Sequence, residues 1–190
     1  MSSRHLLFGL FVACLAINSY FMHPALAQMK PAVEDNDLIA AARTGDVYGL
    51  LSAIDSGISV NDRGRDRIPP IVVAADNGNL QATQILIQKG AQVDLRGGNG
   101  QTALAAAVGR NHPAVVKLLL QNDADPNRPG LNNEVPLITA ARLGNELMIR
   151  LLLSVDADTG ETDRTGRTAL DWARDNRHRA IQELLLAKSN

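Results

Sequence analysis

The chain repeats the same pattern every 33 residues from residue 36 onward. In each copy, mostly small residues are followed by a turn residue, then by an apolar run and a second turn. The first turn residue of the five copies is Gly45, Gly78, Asn111, Gly144 and Arg177. A repeat of this length is typical of a solenoid, in which each unit buries its apolar face against its neighbours. Because the interval never changes, no copy contains an insertion or a deletion.

Each unit has the start and stop signals of two short helices. Thr102 and Thr168 are residues that cap free amides at a helix start, and Pro70 and Pro136 suit the first helical position. Glycine accepts the left-handed conformation that ends a helix, and asparagine is the next best residue there. Arg177 is a poor choice, which costs roughly 1–2 kcal/mol if its backbone is left-handed. The second helix of each unit is predicted to bury an apolar triple: Ser52-Ala53-Ile54, Ile85-Leu86-Ile87, Leu118-Leu119-Leu120, Leu151-Leu152-Leu153 and Leu184-Leu185-Leu186.

The unit resembles the ankyrin repeat, a β-turn plus two antiparallel helices with a T-P-L-H-x-A start. That start reads "TALAAA" at 102–107, "VPLITA" at 135–140, "PPIVVA" at 69–74 and "TALDWA" at 168–173. None of the four keeps the histidine, so the threonine–histidine hydrogen bond typical of the family is absent or replaced. The resemblance covers residues 36–190 and implies an all-α ankyrin-repeat solenoid of five helix-turn-helix units joined by β-hairpin loops. The predicted units are 36–68, 69–101, 102–134, 135–167 and 168–190.

The first 27 residues carry the features of a secretory signal peptide. A basic start precedes an apolar stretch over 6–17, and an A-x-A cleavage site ends at Ala27. This apolar stretch is shorter than the ~20 residues that a membrane-spanning helix needs, which argues against an anchor. Cleavage is therefore predicted between Ala27 and Gln28, followed by a linker over 28–35 and export to the periplasm, with secretion as the alternative. Lipidation at Cys14 is a further alternative.

Removing the signal peptide leaves little of the chemistry that enzymes use. The one cysteine is lost with it, so thiol and disulfide chemistry are excluded. Tyr48 and Trp172 remain as the only aromatic residues, and 18 of the 19 basic residues remain against 20 acidic ones, which argues against nucleic-acid binding. His112 and His178 lie two repeats apart, too far to share a metal ion, and are expected to bond turn amides instead. No catalytic residue, metal site or cofactor is predicted, and the glycine-rich stretch 94–103 is read as a hairpin tip.

In the ankyrin family, the hairpin tips and the exposed side of the first helices form a concave face that binds other proteins. The matching tip positions are Arg65, Asp66, Ile68, Asn99, Gln101, Leu131, Asn132, Glu134, Arg164, Thr165 and Arg167. The helix ends add Arg43, Thr44, Asp76, Asn77, Arg110, Arg142, Leu143, Asp175 and Asn176. Six arginines face four acids, so this face is expected to be locally basic, and it is expected to lack aromatic residues. Arginine is favoured at protein interfaces, and Arg110 and Arg142 in adjacent units are expected to point the same way.

These observations predict a non-enzymatic protein-interaction module, an exported monomer whose partner is another protein. The small exported bacterial ankyrin proteins that the chain resembles include ones that support a periplasmic catalase, so the resemblance implies an accessory role in oxidative stress. Two alternatives stay open. One is a carrier of haem or another small ligand, for which the candidate axial ligands are Met29, Tyr48, His112, Met148 and His178. The other is a secreted effector that acts on host proteins.

Overall fold

The computed structural model describes residues 37–188, which form five helix–turn–helix pairs, here called repeats 1 to 5. Repeat 1 contains α1 (Asp37–Thr44) and α2 (Val47–Asp55), and repeat 2 contains α3 (Pro70–Asp76) and α4 (Leu80–Gln88). Repeat 3 contains α5 (Ala103–Gly109) and α6 (Pro113–Leu120). Repeat 4 contains α7 (Pro136–Leu143) and α8 (Glu146–Leu153), and repeat 5 contains α9 (Ala169–Asp175) and α10 (Arg179–Lys188). The expected all-α repeat solenoid is confirmed.

The repeats stack in single file, and helices of the same kind lie side by side. The first helix of each pair packs against the first helix of the next, from α1 through to α9. The second helices do the same, from α2 through to α10. Within each repeat the two helices also contact each other. One continuous layer of first helices therefore runs along the stack, and its exposed side is where the candidate interaction residues lie.

The predicted helix starts are present in the structure. The hydroxyl of Thr102 accepts a hydrogen bond from the Ala105 amide at 3.2 Å, as an N-cap residue does. Thr168 and Asp171 form a reciprocal capping box at the start of α9. Pro70 and Pro136 occupy the first position of α3 and α7. Local sequence signals therefore account for where the first helices begin.

Left-handed residues end all five first helices and follow the second helices of repeats 1 to 4. The first helices end at Gly45, Gly78, Asn111, Gly144 and Arg177, with φ of 76°, 71°, 61°, 71° and 60°. In repeats 1 to 4 the second helices are followed by Gly57, Gly90, Asp123 and Asp156, with φ of 93°, 89°, 63° and 57°. The condition stated for Arg177 is met, since its backbone is left-handed, and the expected cost applies because a side chain crowds the following carbonyl in this conformation.

The core consists of small and branched aliphatic residues. The alanine pairs of the first helices are buried, which lets neighbouring helices approach closely, and Leu119 in α6 is fully buried. Only the middle residue of each apolar triple is buried, since the flanking positions range from half-buried to exposed. Thr83 and Thr102 are buried polar residues. Every buried side-chain nitrogen or oxygen among residues 37–188 has a hydrogen-bond partner.

The expected β-hairpin loops are tight turns with almost no strand pairing. Within residues 37–188 there is no strand, and a single isolated bridge joins Thr162 and Thr168. The tips close with a backbone hydrogen bond from the amide of residue i to the carbonyl of residue i+4, at 2.9–3.0 Å, in three places: Gly97 to Gln101, Gly130 to Glu134 and Asp163 to Arg167. The tips are therefore turns that hold side chains beside the first helices.

The predicted signal peptide over 1–27, its cleavage between Ala27 and Gln28, the lipidation alternative at Cys14 and the linker over 28–35 lie outside the described residues. They stay predictions. None of the helices found within 37–188 has the length and apolar character that crossing a membrane requires.

Candidate interaction surface

None of the residues predicted for the concave face is buried. Ile68, Asp76, Gln101 and Glu134 are half-buried, and the others are exposed. These residues do not form one continuous surface in the structure. The structure places thirteen of the twenty in a groove across repeats 1 to 3, in an ion pair of repeat 4 or in a side-chain cluster of repeat 5, and the other seven outside these sites.

An open groove of about 500 Å³ crosses the first helices of repeats 1 to 3. Eight of the predicted residues line it: Arg43, Ile68, Asp76, Asn77, Asn99, Gln101, Arg110 and Leu131. Four lining residues were not predicted: Val72, Val73, Ala106 and Gly109. The valines and Ala106 have the pattern of core residues, so their sequence gives no sign of a surface role. For Gly109 the sequence did contain an indication of a surface role, because the same position in the other repeats holds a charged residue.

The acids of this face neutralise part of its positive charge. Three ion pairs lie on it: Arg110–Asp76 at 3.1 Å, Arg142–Glu134 at 3.2 Å and Arg167–Asp175 at 3.2 Å. All three are at least partly exposed, so each contributes little to stability, about 0–1 kcal/mol. Three of the four acids are thus matched with arginines, and the face is less basic than the count of charges indicates.

Arg110 and Arg142 are not a matched pair. Counting 33 residues on from Arg110 reaches Leu143, whereas Arg142 has the register of Gly109. Their partners differ as well, because Arg110 is held by an acid of the preceding repeat and Arg142 by Glu134 in the loop before its own helix. The expectation of two equivalent arginines in adjacent repeats is corrected accordingly.

At the repeat 5 end of the face, several side chains form a cluster around Trp172. The guanidinium of Arg167 lies over the indole ring, 5.0 Å from its centroid. The indole Nε1 donates to Asp163 at 2.8 Å, and the same carboxylate accepts the hydroxyl and the amide of Thr165 at 2.7 Å. These hydrogen bonds, led by that from the Thr165 hydroxyl, hold the pKa of Asp163 well below its usual range. The expectation of a face without aromatic residues is wrong here, since the half-buried Trp172 supports Arg167.

The other predicted residues lie outside the groove. Asn176 donates its side-chain amide to the Trp172 carbonyl at 3.0 Å, which ties it to its own helix. Leu143 is 50% exposed. Beside it, five more exposed residues line neither the groove nor the cluster: Thr44, Arg65, Asp66, Asn132 and Arg164.

Side chains that precede the second helices of repeats 2 and 3 hydrogen-bond the repeat before them. Nε2 of His112 donates to the Asp76 carbonyl at 3.1 Å, and the Asn79 amide donates to the carbonyls of Ala42 and Arg43 at 2.9 and 3.0 Å. His112 was expected to accept from turn amides, and it instead donates to the carbonyl-rich end of a helix. We call Asn79 and His112 the helix-edge row.

A second row of hydrogen bonds runs along the turns that follow the second helices. Asn61, Asp94 and Asn127 lie 33 residues apart, and each accepts the backbone amide of a residue 31 positions further on. The distances are 2.9, 3.2 and 2.7 Å. Burial raises the pKa of the Asp94 carboxyl, although the accepted amide opposes this shift. We call these three residues the loop-edge row. In the sequence, both rows are visible only as polar residues that recur at the same position of the repeat.

Two of the side chains considered for haem ligation, Met148 and His112, are poorly placed for it. Met148 is fully buried in the core. His112 uses Nε2 to bond the preceding repeat, and its ring packs against Gly78. Met29 lies outside the described residues. No three His, Cys, Asp or Glu side chains within 37–188 are grouped so that they could hold a metal ion.

A single-file stack of helix pairs, with turn tips beside an exposed groove on its first helices, defines a helical repeat protein of the solenoid class. The family model for ankyrin repeats (3 copies) matches residues 38–130 and 127–190, so the chain belongs to the ankyrin repeat family. Comparison with curated proteins gave no match. Ankyrin repeats are protein–protein interaction modules, and the class of partner is therefore another protein.

Proposed function

We propose that this protein is a non-enzymatic adaptor or accessory protein of the periplasm, which holds a partner protein on its first-helix face. The observation that supports the proposal is the groove across repeats 1 to 3, where apolar, amide and arginine side chains are exposed together. This mixture is what protein interfaces use, with arginine enriched and apolar contacts supplying the buried centre.

The stack supports binding because it presents the groove on a rigid frame. The helix-edge row and the loop-edge row join successive repeats on two separate edges. Part of the groove lining, including Val73, Asp76 and Ala106, belongs to first helices whose alanine pairs are buried in the core. A preformed surface loses little conformational freedom on binding, so more of the contact energy is available as affinity.

The binding face is tested by reversing charges. Arg110→Glu combined with Arg142→Glu is expected to weaken capture of the partner from periplasmic extract, and the loss should shrink in high salt because exposed charges are screened. The free energy of unfolding should change by no more than about 0.5 kcal/mol for each substitution, since both side chains are on the surface.

The matched control reverses two charges on second helices, Lys117→Glu with Arg150→Glu. Both residues are exposed, and neither lines the groove. If this control variant weakens capture as much as the Arg110 and Arg142 variant does, the first-helix face is not the interface and the proposal fails.

The periplasmic location rests on the sequence of residues 1–27 and has its own test. The exported protein should begin at Gln28 and be recovered in the periplasmic fraction. N-terminal sequencing decides the cleavage site. Recovery from the culture medium would favour secretion, and a protein that keeps residues 1–27 in the membrane fraction would refute cleavage.

The accessory role for a periplasmic catalase rests on likeness to small exported ankyrin proteins. Deleting the gene should lower catalase activity in the periplasmic fraction without lowering the amount of catalase protein exported. The Arg110→Glu with Arg142→Glu variant should fail to restore that activity. Full restoration by this variant would separate the catalase role from the groove face.

A further inference from the structure

We propose that the partner's contacting segment enters the groove of repeats 1 to 3, and that this segment carries an apolar side chain beside a carboxylate. The inference rests on the proposed function and narrows it to one part of the face. The chemistry of the segment is inferred from the apolar lining and from Arg110, its place from a comparison with repeat 5, and the test from Gly109.

The apolar side chain is required by the surfaces at the base and edges of the groove. Val72, Val73 and Ala106 line it together with Ile68 and Leu131. Leu131 is 46% exposed, although leucine gains free energy from burial. Val72, Val73 and Ala106 are already buried, so a partner side chain here would remove from water mainly the apolar surface of Leu131 and of the half-buried Ile68.

The carboxylate is required by the way Arg110 is held. Its Nε donates to Asp76 at 3.1 Å, which fixes the guanidinium at the groove, and its side chain remains 65% exposed. Among the described residues no hydrogen bond uses its terminal nitrogens. Arg150 shows the contrast, because both Nε and a terminal nitrogen bond Glu146. A planar guanidinium with unused terminal nitrogens is suited to bidentate binding of a carboxylate.

The charge of the groove agrees with a negative occupant. Two of its three ionisable lining residues are arginines, Arg43 and Arg110, and the third, Asp76, is paired with Arg110. The remaining polar lining side chains are the amides of Asn77, Asn99 and Gln101. An acidic segment would therefore meet a single carboxylate in the groove, and that carboxylate already has an arginine partner.

Comparison with repeat 5 indicates why the partner segment would bind at repeats 1 to 3. There Arg167 is stacked on Trp172 and paired with Asp175, and Asp163 accepts four hydrogen bonds. A partner docking on that cluster would first break these contacts. The groove of repeats 1 to 3 requires no such exchange, since the apolar side chain of Leu131 and the Arg110 terminal nitrogens are already exposed.

Gly109 allows the groove to be blocked without disturbing the fold. It is the last residue of α5, it lines the groove, and a β-carbon placed on it would meet no other atom within 4 Å. Its backbone is not left-handed, so any side chain fits its conformation. A tryptophan at this position would fill the space that the partner's apolar side chain is proposed to occupy.

The experiment measures binding of three labelled 12-residue peptides to the full mature chain by fluorescence anisotropy. One peptide alternates Leu and Glu, the second alternates Leu and Lys, and the third alternates Ser and Glu. The first is expected to bind at least about tenfold more tightly than the other two. Gly109→Trp should weaken its binding about tenfold or more, and Arg110→Gln should weaken it about threefold to tenfold (tenfold corresponds to about 1.4 kcal/mol).

The matched control is Ala114→Trp, an exposed position on the second helix of the same repeat, which should leave affinity within about twofold. Gly109→Glu is a second blocking variant, which should weaken binding of the Leu–Glu peptide through repulsion. Thermal melts of each variant establish that it is folded. Equal binding of all three peptides, or unchanged affinity in both Gly109 variants, overturns the proposal.

Failure of this inference is distinguishable from failure of the proposed function. If the native partner is retained by Gly109→Trp and lost on Arg142→Glu, binding uses the first-helix face outside this groove, and only the inference is overturned. If the second-helix control, Lys117→Glu with Arg150→Glu, abolishes capture, the face itself is wrong and both are overturned.

Discussion

The imidazole of His112 occupies the space that a side chain at Gly78 would need. A β-carbon on Gly78 would lie 2.6 Å from Nδ1 of this histidine, which belongs to the next repeat. The relationship recurs two repeats further on, where a β-carbon on Gly144 would lie 2.6 Å from Cε1 of His178. Each glycine thus serves two purposes, since it ends its own helix in a left-handed conformation and admits the ring that follows.

We expect Gly78→Ala to destabilise the protein more than an ordinary glycine substitution. The left-handed backbone accounts for about 1–2 kcal/mol, and the clash with His112 adds about 1–3 kcal/mol, as overpacking does. The control is Gly90→Ala, because Gly90 is also left-handed, with φ of 89°, and has no atom within 4 Å of its β-carbon position. Urea melts give both values, and equal losses would mean that the ring is not a constraint.

A double mutant isolates the contact between the two side chains. Combining Gly78→Ala with His112→Ala should recover most of the extra loss, so the two effects should be non-additive by about 1 kcal/mol or more. Additive losses would show that the ring moves aside at no cost.

Leu119→Ala is expected to cost about 2–5 kcal/mol, because the leucine is fully buried in the middle of the stack and its truncation leaves a cavity. Leu147→Ala is the control, since this leucine is 51% exposed and its loss should stay within about 0.5 kcal/mol. A loss below 1 kcal/mol for Leu119 in urea melts would contradict the position assigned to it.

Arg177→Gly is expected to stabilise the protein by about 1 kcal/mol. The φ of Arg177 is 60°, so replacing it with glycine removes the side-chain clash with the following carbonyl. Asn111→Gly at the equivalent position of repeat 3 should give no gain, because asparagine tolerates the left-handed conformation better and its Oδ1 accepts a hydrogen bond from Asn145 at 2.7 Å. Thermal melts compare the two variants, and a destabilised Arg177→Gly protein would show that the arginine side chain makes a contact worth more than the strain.

Repeat 5 is expected to loosen in acid before the rest of the stack. Hydrogen bonds hold the pKa of Asp163 and of Asp171 below the usual range. Since these pKa values are lower in the folded than in the unfolded chain, the stabilisation is complete above about pH 4 and is lost as the pH falls further. Trp172 is the only tryptophan, so its emission reports this repeat directly.

The emission of Trp172 should therefore shift to the red below about pH 4, ahead of the loss of helical circular dichroism. Asp163→Asn is the control, because it removes the charge while retaining an oxygen that accepts the indole N–H. This variant should already show shifted emission at neutral pH and a smaller change in acid. An emission change that coincides with global unfolding in both proteins would contradict the prediction.

The repeat register could be read from the sequence because it depends on local rules. Gly78, Asn111 and Thr102 act on the backbone within a few residues of themselves, so their roles follow from spacing alone. The ion pair between Arg110 and Asp76 could not be read in this way, since its partners are 34 residues apart and the pairing depends on side-chain rotamers across two helices. The role of Gly109 was missed for a different reason. Its register is that of Arg43, Asp76, Arg142 and Asp175, which were all assigned to the face, but glycine has no side chain that would mark it as an interaction residue.

The residues of the loop-edge row could have been identified from the sequence. Asn61, Asp94 and Asn127 recur at the interval of the repeat. They looked like ordinary turn residues because asparagine and aspartate are common in turns. Their second role, accepting an amide of the next repeat, needs the stack to exist first, and so it follows from the tertiary structure rather than from local propensity.

The loop-edge row changes character at the junction between repeats 4 and 5. Gly160 stands at the register of Asn61, Asp94 and Asn127 and offers no side-chain oxygen, and at this junction Lys188 contacts Asp156 at 2.6 Å through an exposed ion pair. In a stack coupled mainly between neighbours, the weakest junction sets where opening begins. Ionic strength screens this ion pair far more than the neutral hydrogen bonds that Asn61 and Asn127 accept. We therefore expect the exchange rate of the repeat 5 amides with solvent to rise with salt concentration. The two ends of the stack would then differ in how long they stay folded between local openings.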